Sequence, residues 1–192
     1  MPSPAPTRFT LLAALRRFRG NRRGSAVVEF ALVAPVFFAL LFAIIETALM
    51  FFAGQVLETI TQNSARVVLT GQAQSGSVTA CTVSGVSKPC TQATFKSYVC
   101  SQIPALFDCS KLYVEVTSFS SFAAVTLPTH IDGSGNFDTN TSYSPGGAGD
   151  IVVVRLFYQW PLFVTGLGYN TSNLAGSKRL LVATAAFKNE PY

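Results

Sequence analysis

The sequence predicts an α+β protein, a long N-terminal transmembrane α-helix followed by a small antiparallel-sheet extracytoplasmic domain. Three observations lead there. Residues 25–53 form an apolar run with no Lys or Arg, in which Glu29 and Glu46 are the only charges. Two later stretches, 111–117 and 151–160, have the β-branched and aromatic make-up of strands. Charge is also segregated. Of fourteen Lys and Arg, six (Arg8, Arg16, Arg17, Arg19, Arg22 and Arg23) precede residue 24 with no acid among them. The other eight face nine acids, so the remainder carries a net charge of −1.

The elements follow in order. Residues 1–24 read as a basic leader with a Pro-rich start and a short amphipathic piece at Leu11, Leu12, Leu15 and Phe18. A basic flank before an apolar span is expected on the cytoplasmic side. No aromatic-interleaved basic patch follows, so nucleic acid is not an expected partner. As a helix, residues 25–53 extend about 43 Å, enough to cross a ~30 Å hydrocarbon core. The run is too long for the apolar core of a cleaved secretory signal and ends in no clean small-x-small site, so it is expected to stay in the mature chain.

The same helix is predicted to continue to residue 70, because Val56, Ile60, Val67 and Val68 recur at near-helical spacing and Gly71 supplies a stop. Pro35 falls inside it, which membrane helices tolerate. Residues 71–92 read as a loop or a short cystine-closed hairpin, and residues 93–103 as a short helix. Residues 128–150 hold five glycines and two prolines and read as a long surface loop. The near-continuous apolar start of 151–160 predicts a central strand covered on both faces. Residues 179–187 form a third strand, whose small side chains suit packing under a helix. The domains are thus expected at 1–24 (leader), 25–70 (membrane helix extending outward) and 71–192 (disulfide-containing domain).

The cysteines, Cys81, Cys90, Cys100 and Cys109, all follow the span. Beyond a membrane with a cytoplasmic N-terminus they meet an oxidising compartment, where an even count predicts disulfides. Three pairings are open. The local pairs Cys81–Cys90 and Cys100–Cys109 are favoured because each closes a short loop. With no C-x-x-C and a single distant His130, zinc is not expected.

The junction between leader and apolar run carries the chemistry. Arg23-Gly24-Ser25 is followed by Glu29-Phe30-Ala31-Leu32 and Pro35, with Glu46 and Ala65-Arg66 further on. Glycine lets a peptidase approach the backbone closely. An anionic side chain inside an apolar run costs about 2.5–3.5 kcal/mol on insertion scales, so Glu29 requires a partner or an escape to the headgroups. This block resembles the processing and assembly signal of the TadE-like family. Residues 153–161, Val153-Val154-Arg155 through Tyr158-Gln159-Trp160-Pro161, and the segment 187–192 resemble the longer members of that family.

The resemblance implies a minor pilin or pseudopilin needed to assemble the Flp (tight-adherence) pilus, cut by an aspartic prepilin peptidase between Gly24 and Ser25. Glu29 and Phe30 belong to the processing signal. Glu29 would also neutralise the Ser25 ammonium of a neighbouring subunit. Implied partners are other pilin-like subunits, Tad inner-membrane assembly proteins, the peptidase and membrane lipid. The implied location is the bacterial inner membrane, single-pass, with the C-terminal domain periplasmic. A TadF-like role remains the neighbouring alternative. The larger TadG-like relatives have a D-x-S-x-S site, whose second serine is missing from Asp132-Gly133-Ser134-Gly135-Asn136.

Glu46 is expected near the far interface, either in contact with water or paired with another pilin-like subunit. Asp132, Ser134, Asn136 and Asp138 alternate oxygen ligands but lack the glycine and glutamate positions of a calcium loop, so a solvated turn is expected. No catalytic motif and no cofactor site are read. The protein is expected not to be an enzyme. The rival readings are a membrane-anchored periplasmic binding or adhesion module with an uncleaved signal anchor, and a membrane-tethered hydrolase using His130.

Overall fold

The computed structural model describes residues 24–83, 85–165 and 169–192. The amphipathic piece expected in the leader lies outside the described residues. The chain divides into two compact units, residues 1–44 and 45–192. The described part of the first is the apolar beginning of helix α1 (Ser25–Leu69), which exposes Val27, Phe30, Leu32 and Phe37, among others. Pro35 lies within α1. The helix is long and apolar enough to cross a membrane.

The second unit is an α+β domain built on the later half of α1. Along that half the buried residues are Met50, Ala53, Leu57, Ile60, Thr61, Ser64, Ala65, Val67 and Val68. This is the i, i+3, i+4, i+7 stripe of a helix with one face on a core. The opposing surface is a three-stranded antiparallel sheet in the order β3 (Leu112–Phe119), β4 (Ile151–Pro161), β5 (Lys178–Lys188). Between helix and sheet come a one-turn helix, α2 (Gln72–Ser75), and a hairpin of two-residue strands, β1 (Thr82–Val83) and β2 (Val86–Ser87). Helix α3 (Gln92–Gln102) follows, opened by a reciprocal cap in which Thr94 N–H donates to the Thr91 hydroxyl and Thr91 N–H to that of Thr94.

Strand alternation sorts the sheet's two faces. Val114, Val116, Val152, Val154, Leu156, Tyr158 and Ala183 join the core with α1 and with Phe95 and Val99 of α3. On the opposite face Phe157 packs with Leu174 and Leu180, and Tyr113, Ile131 and Phe137 close over them. Nine of the first ten residues of β4, all but Gln159, are buried, as its apolar sequence predicts for a central strand.

Residues 128–150 differ from the surface loop expected of them. They contain no regular strand, yet His130 is buried and Ile131 and Phe137 are half-buried against the sheet. Tyr143 lies beside β3, where Val116 N–H donates to Ser142 O and Ser144 N–H to Val116 O. Glycine permits the turns, and apolar residues between the glycines still find the second face of the sheet.

Disulfides join Cys81 to Cys90 and Cys100 to Cys109. The first closes the β1–β2 hairpin just before α3, and the second ties the last turn of α3 to the start of β3. At the base of the hairpin Gly76 has φ +74°, and a β-carbon there would stand 2.1 Å from the carbonyl oxygen of Lys88. Gly85, at the tip, has φ +78° with nothing within 4 Å of such a carbon. Gly85→Ala should therefore cost about 1–2 kcal/mol, from left-handed strain alone. Gly76→Ala should cost roughly 1–3 kcal/mol more, because rigid backbone must also move. Urea unfolding of the two oxidised variants checks the difference, and equal midpoints would contradict it.

Candidate functional site

Three groups of residues carry chemistry. The first is the beginning of α1. Gly24 is half-buried, and a β-carbon there would meet nothing within 4 Å. Glu29 lies one helical turn beyond Ser25, and both Glu29 and Phe30 are exposed. The exposed apolar surface continues through Leu40, Phe42 and Ile44. A helix apolar on all sides and left exposed by the described residues is compatible with lipid or other helices around it.

The second group centres on Glu46. It is 6% exposed, so it does not face water as one of the two expectations held. Its carboxylate is occupied within the chain. The N–H of Phe163 donates to Oε1, and the N–H of Val164 donates to Oε2 at 3.0 Å. One turn of chain beyond β4 thus supplies two neighbouring backbone donors to one carboxylate. Hydrogen bonds to an ionised acceptor are short and strong, and they lower the penalty of an anion in apolar surroundings. Next to Glu46, the hydroxyls of Thr47 and Tyr169 are hydrogen-bonded.

The third group lies on the second face of the sheet. Glu115 of β3 stands directly opposite Arg155 of β4, and both are buried. Arg155 Nε donates to Glu115 Oε2 at 2.6 Å, and Nη1 donates to the carbonyl of Pro128 at 3.0 Å. His130 Nε2 lies 3.1 Å from Glu115 Oε1 and 3.2 Å from Arg155 Nη2. With the proton on Nε2 the histidine donates to the carboxylate. Its Nδ1 is buried and has no hydrogen-bond partner among the described residues. The imidazole rests against Phe157, with ring centroids 4.8 Å apart. This cluster pins the start of the 128–150 segment to the sheet. It engages His130 in the core, where a hydrolytic histidine would have to face substrate.

The remaining candidates stay apart. Asp132 accepts from the N–H groups of Ser134 and Asn136 and from the Asn136 side chain, an exposed turn closed on itself. The hydrogen bonds from Asn136 hold its carboxyl below the usual carboxylate range. Among the described residues no three His, Cys, Asp or Glu side chains are grouped to hold a metal ion.

The sequence reading missed the Glu46–amide contact and the Glu115–Arg155–His130 cluster. A signal for the second was present. A lone arginine interrupting a central apolar strand demands an acidic partner, and Glu115 is the acid at an alternating position of the neighbouring strand.

A helix of this length and composition, joined to an α+β domain, defines a class of protein with, among the described residues, one candidate membrane anchor. The family model described as TadE-like protein matches residues 24–66, from the glycine of the junction to Arg66, so this segment of the chain is similar to that family. That family is associated with the Tad pilus. Comparison with curated proteins and with solved structures returns no match.

Replacing Glu46 by Ala removes the acceptor of two amides. Hydrogen bonds to charged groups contribute about 1.5–3 kcal/mol, so hydrogen exchange at Phe163 and Val164 should accelerate roughly tenfold to a hundredfold, with the amides of β4 unaffected. Unchanged exchange at both amides would contradict the assignment.

Proposed function

We propose that this chain is a bacterial single-pass inner-membrane pseudopilin, a minor pilin-like subunit required to assemble the Flp (tight-adherence) pilus. The observation that carries the reading is the TadE-like match itself, which begins at Gly24 and contains Ser25, Glu29, Phe30 and the apolar run. Residues 1–24 are the leader, removed by an aspartic prepilin peptidase. Residues 25–70 are the membrane helix and its extension. Residues 71–192 are the periplasmic domain, where an oxidising environment maintains the two disulfides. The protein is a substrate of the peptidase and acts through contacts, not catalysis. Its partners are other pilin-like subunits and the Tad inner-membrane assembly proteins.

Cleavage after Gly24 creates an ammonium on Ser25. In a bundle of such helices, Glu29 of one subunit neutralises the ammonium of the next. A pair of this kind is close to neutral in net energy, and its value is register between subunits. The exposed position of Glu29 on α1 is compatible with an intermolecular partner.

Mass spectrometry of protein isolated from membranes of a strain with active peptidase should find Ser25 as the first residue. A mature chain beginning at Met1 or Pro2 would overturn the processing reading. Glu29→Ala should enter the membrane at least as well as the parent and be cleaved, because a charge leaves the apolar run. Surface pili should nonetheless be lost. Normal pili with this variant would discard the pairing role.

A further inference from the structure

Exposure along the later part of α1 changes character at one point. Leu49, Phe51 and Phe52 expose apolar side chains, whereas the exposed residues from Gln55 onward include Glu58, Thr59, Gln62 and Asn63. If the helix crosses a membrane, as the proposed function holds and as this inference requires, the water boundary falls near Gly54. Glu46 lies eight residues before it, about 12 Å along the helix. The two amides that Glu46 captures belong to Phe163 and Val164, so this piece of the folded domain is held at the level of the apolar run, below the boundary. Phe163 is 84% exposed, the most exposed of the large apolar side chains among the described residues of the domain. Tyr169, bonded to Thr47, provides a second tie at the same height.

We propose that segment 162–165 is a second membrane contact, inserted beside α1 into the outer leaflet with the Phe163 ring in hydrocarbon. Three observations converge on lipid as the occupant. The segment is fixed to α1 within its apolar run. The helix surface at that level is exposed and apolar. The carboxylate that would oppose insertion is satisfied by the segment's own N–H groups. Backbone donors entering the membrane require acceptors, and Glu46 is the acceptor for two of them. Burying the exposed ring removes apolar surface from water. The consequence is mechanical. An anchor that touches lipid at two separated points in the sequence fixes the rotation of α1 about its own axis, and hence which face of the domain looks toward neighbouring subunits.

The test uses full-length protein in vesicles of phosphatidylethanolamine and phosphatidylglycerol. Phe163→Cys, Phe37→Cys and Thr59→Cys each carry a nitroxide label, with the native disulfides kept oxidised. Collision with oxygen, which concentrates in hydrocarbon, is compared with collision with a water-soluble nickel chelate. The ratio of oxygen to nickel accessibility at position 163 should be severalfold above that at 59 and of the same order as at 37. A ratio at 163 equal to that at 59, with 37 still lipid-like, overturns the proposal and leaves the membrane anchor standing. Water-like values at both 37 and 163 overturn the anchor and the proposal together. Shielding of 163 from both reagents overturns it in favour of a protein partner at that surface.

Discussion

The packing of the later half of α1 against one face of the β3–β4–β5 sheet is the interaction on which everything else in this chain depends. It fills the core with Leu57, Ile60, Thr61, Ser64 and Val68 from the helix and with Val152, Val154, Leu156 and Tyr158 from the central strand. Small residues set the approach: Ala53, Ser64 and Ala65 on the helix and Ala183 on β5 are all buried. The helix therefore supplies one wall of the domain's larger core, and the sheet gives the helix its reason to hold one face inward. The family match through residue 66 thus takes in Met50, Ala53, Leu57, Ile60 and Ala65, most of what the helix contributes to that core.

Two buried carboxylates serve this arrangement in different ways. Glu115 pairs with Arg155 across adjacent strands and recruits His130, so the 128–150 segment closes over the second face of the sheet. Removing one partner of such a pair strands a buried charge, at a cost of roughly 3–5 kcal/mol. Glu46 takes two backbone amides and holds the chain that leaves β4 against α1. One carboxylate secures the far side of the sheet, and the other secures the end of the sheet to the helix.

Most of the regular structure was legible because it rests on local periodicity. The long helix ends at Leu69 next to Gly71, which adopts φ +73°, and the strand at 151–160 is central, as its unbroken apolar run requires. Contacts between residues distant in sequence were less legible. Glu46 meets backbone donors 117 and 118 residues away, and a backbone N–H leaves no mark in the choice of side chain. Segment 128–150 was read from its glycines and prolines, which report turns, while Ile131 and Phe137 report burial only once the sheet's second face is known. The one-turn helix α2 escaped a reading based on polar composition, because its formation rests on left-handed glycines at both ends, Gly71 and Gly76.

The central claim is that α1 is at once the candidate anchor and the core helix of the domain. Hydrogen exchange of the full-length protein in lipid vesicles tests it most directly, since residues of one cooperative unit open together. The amides of residues 57–68 in α1 and of residues 152–158 in β4 should exchange with the same opening free energy. Fast exchange throughout 57–68 while 152–158 stay protected would mean that the sheet holds without the helix, and would contradict the account.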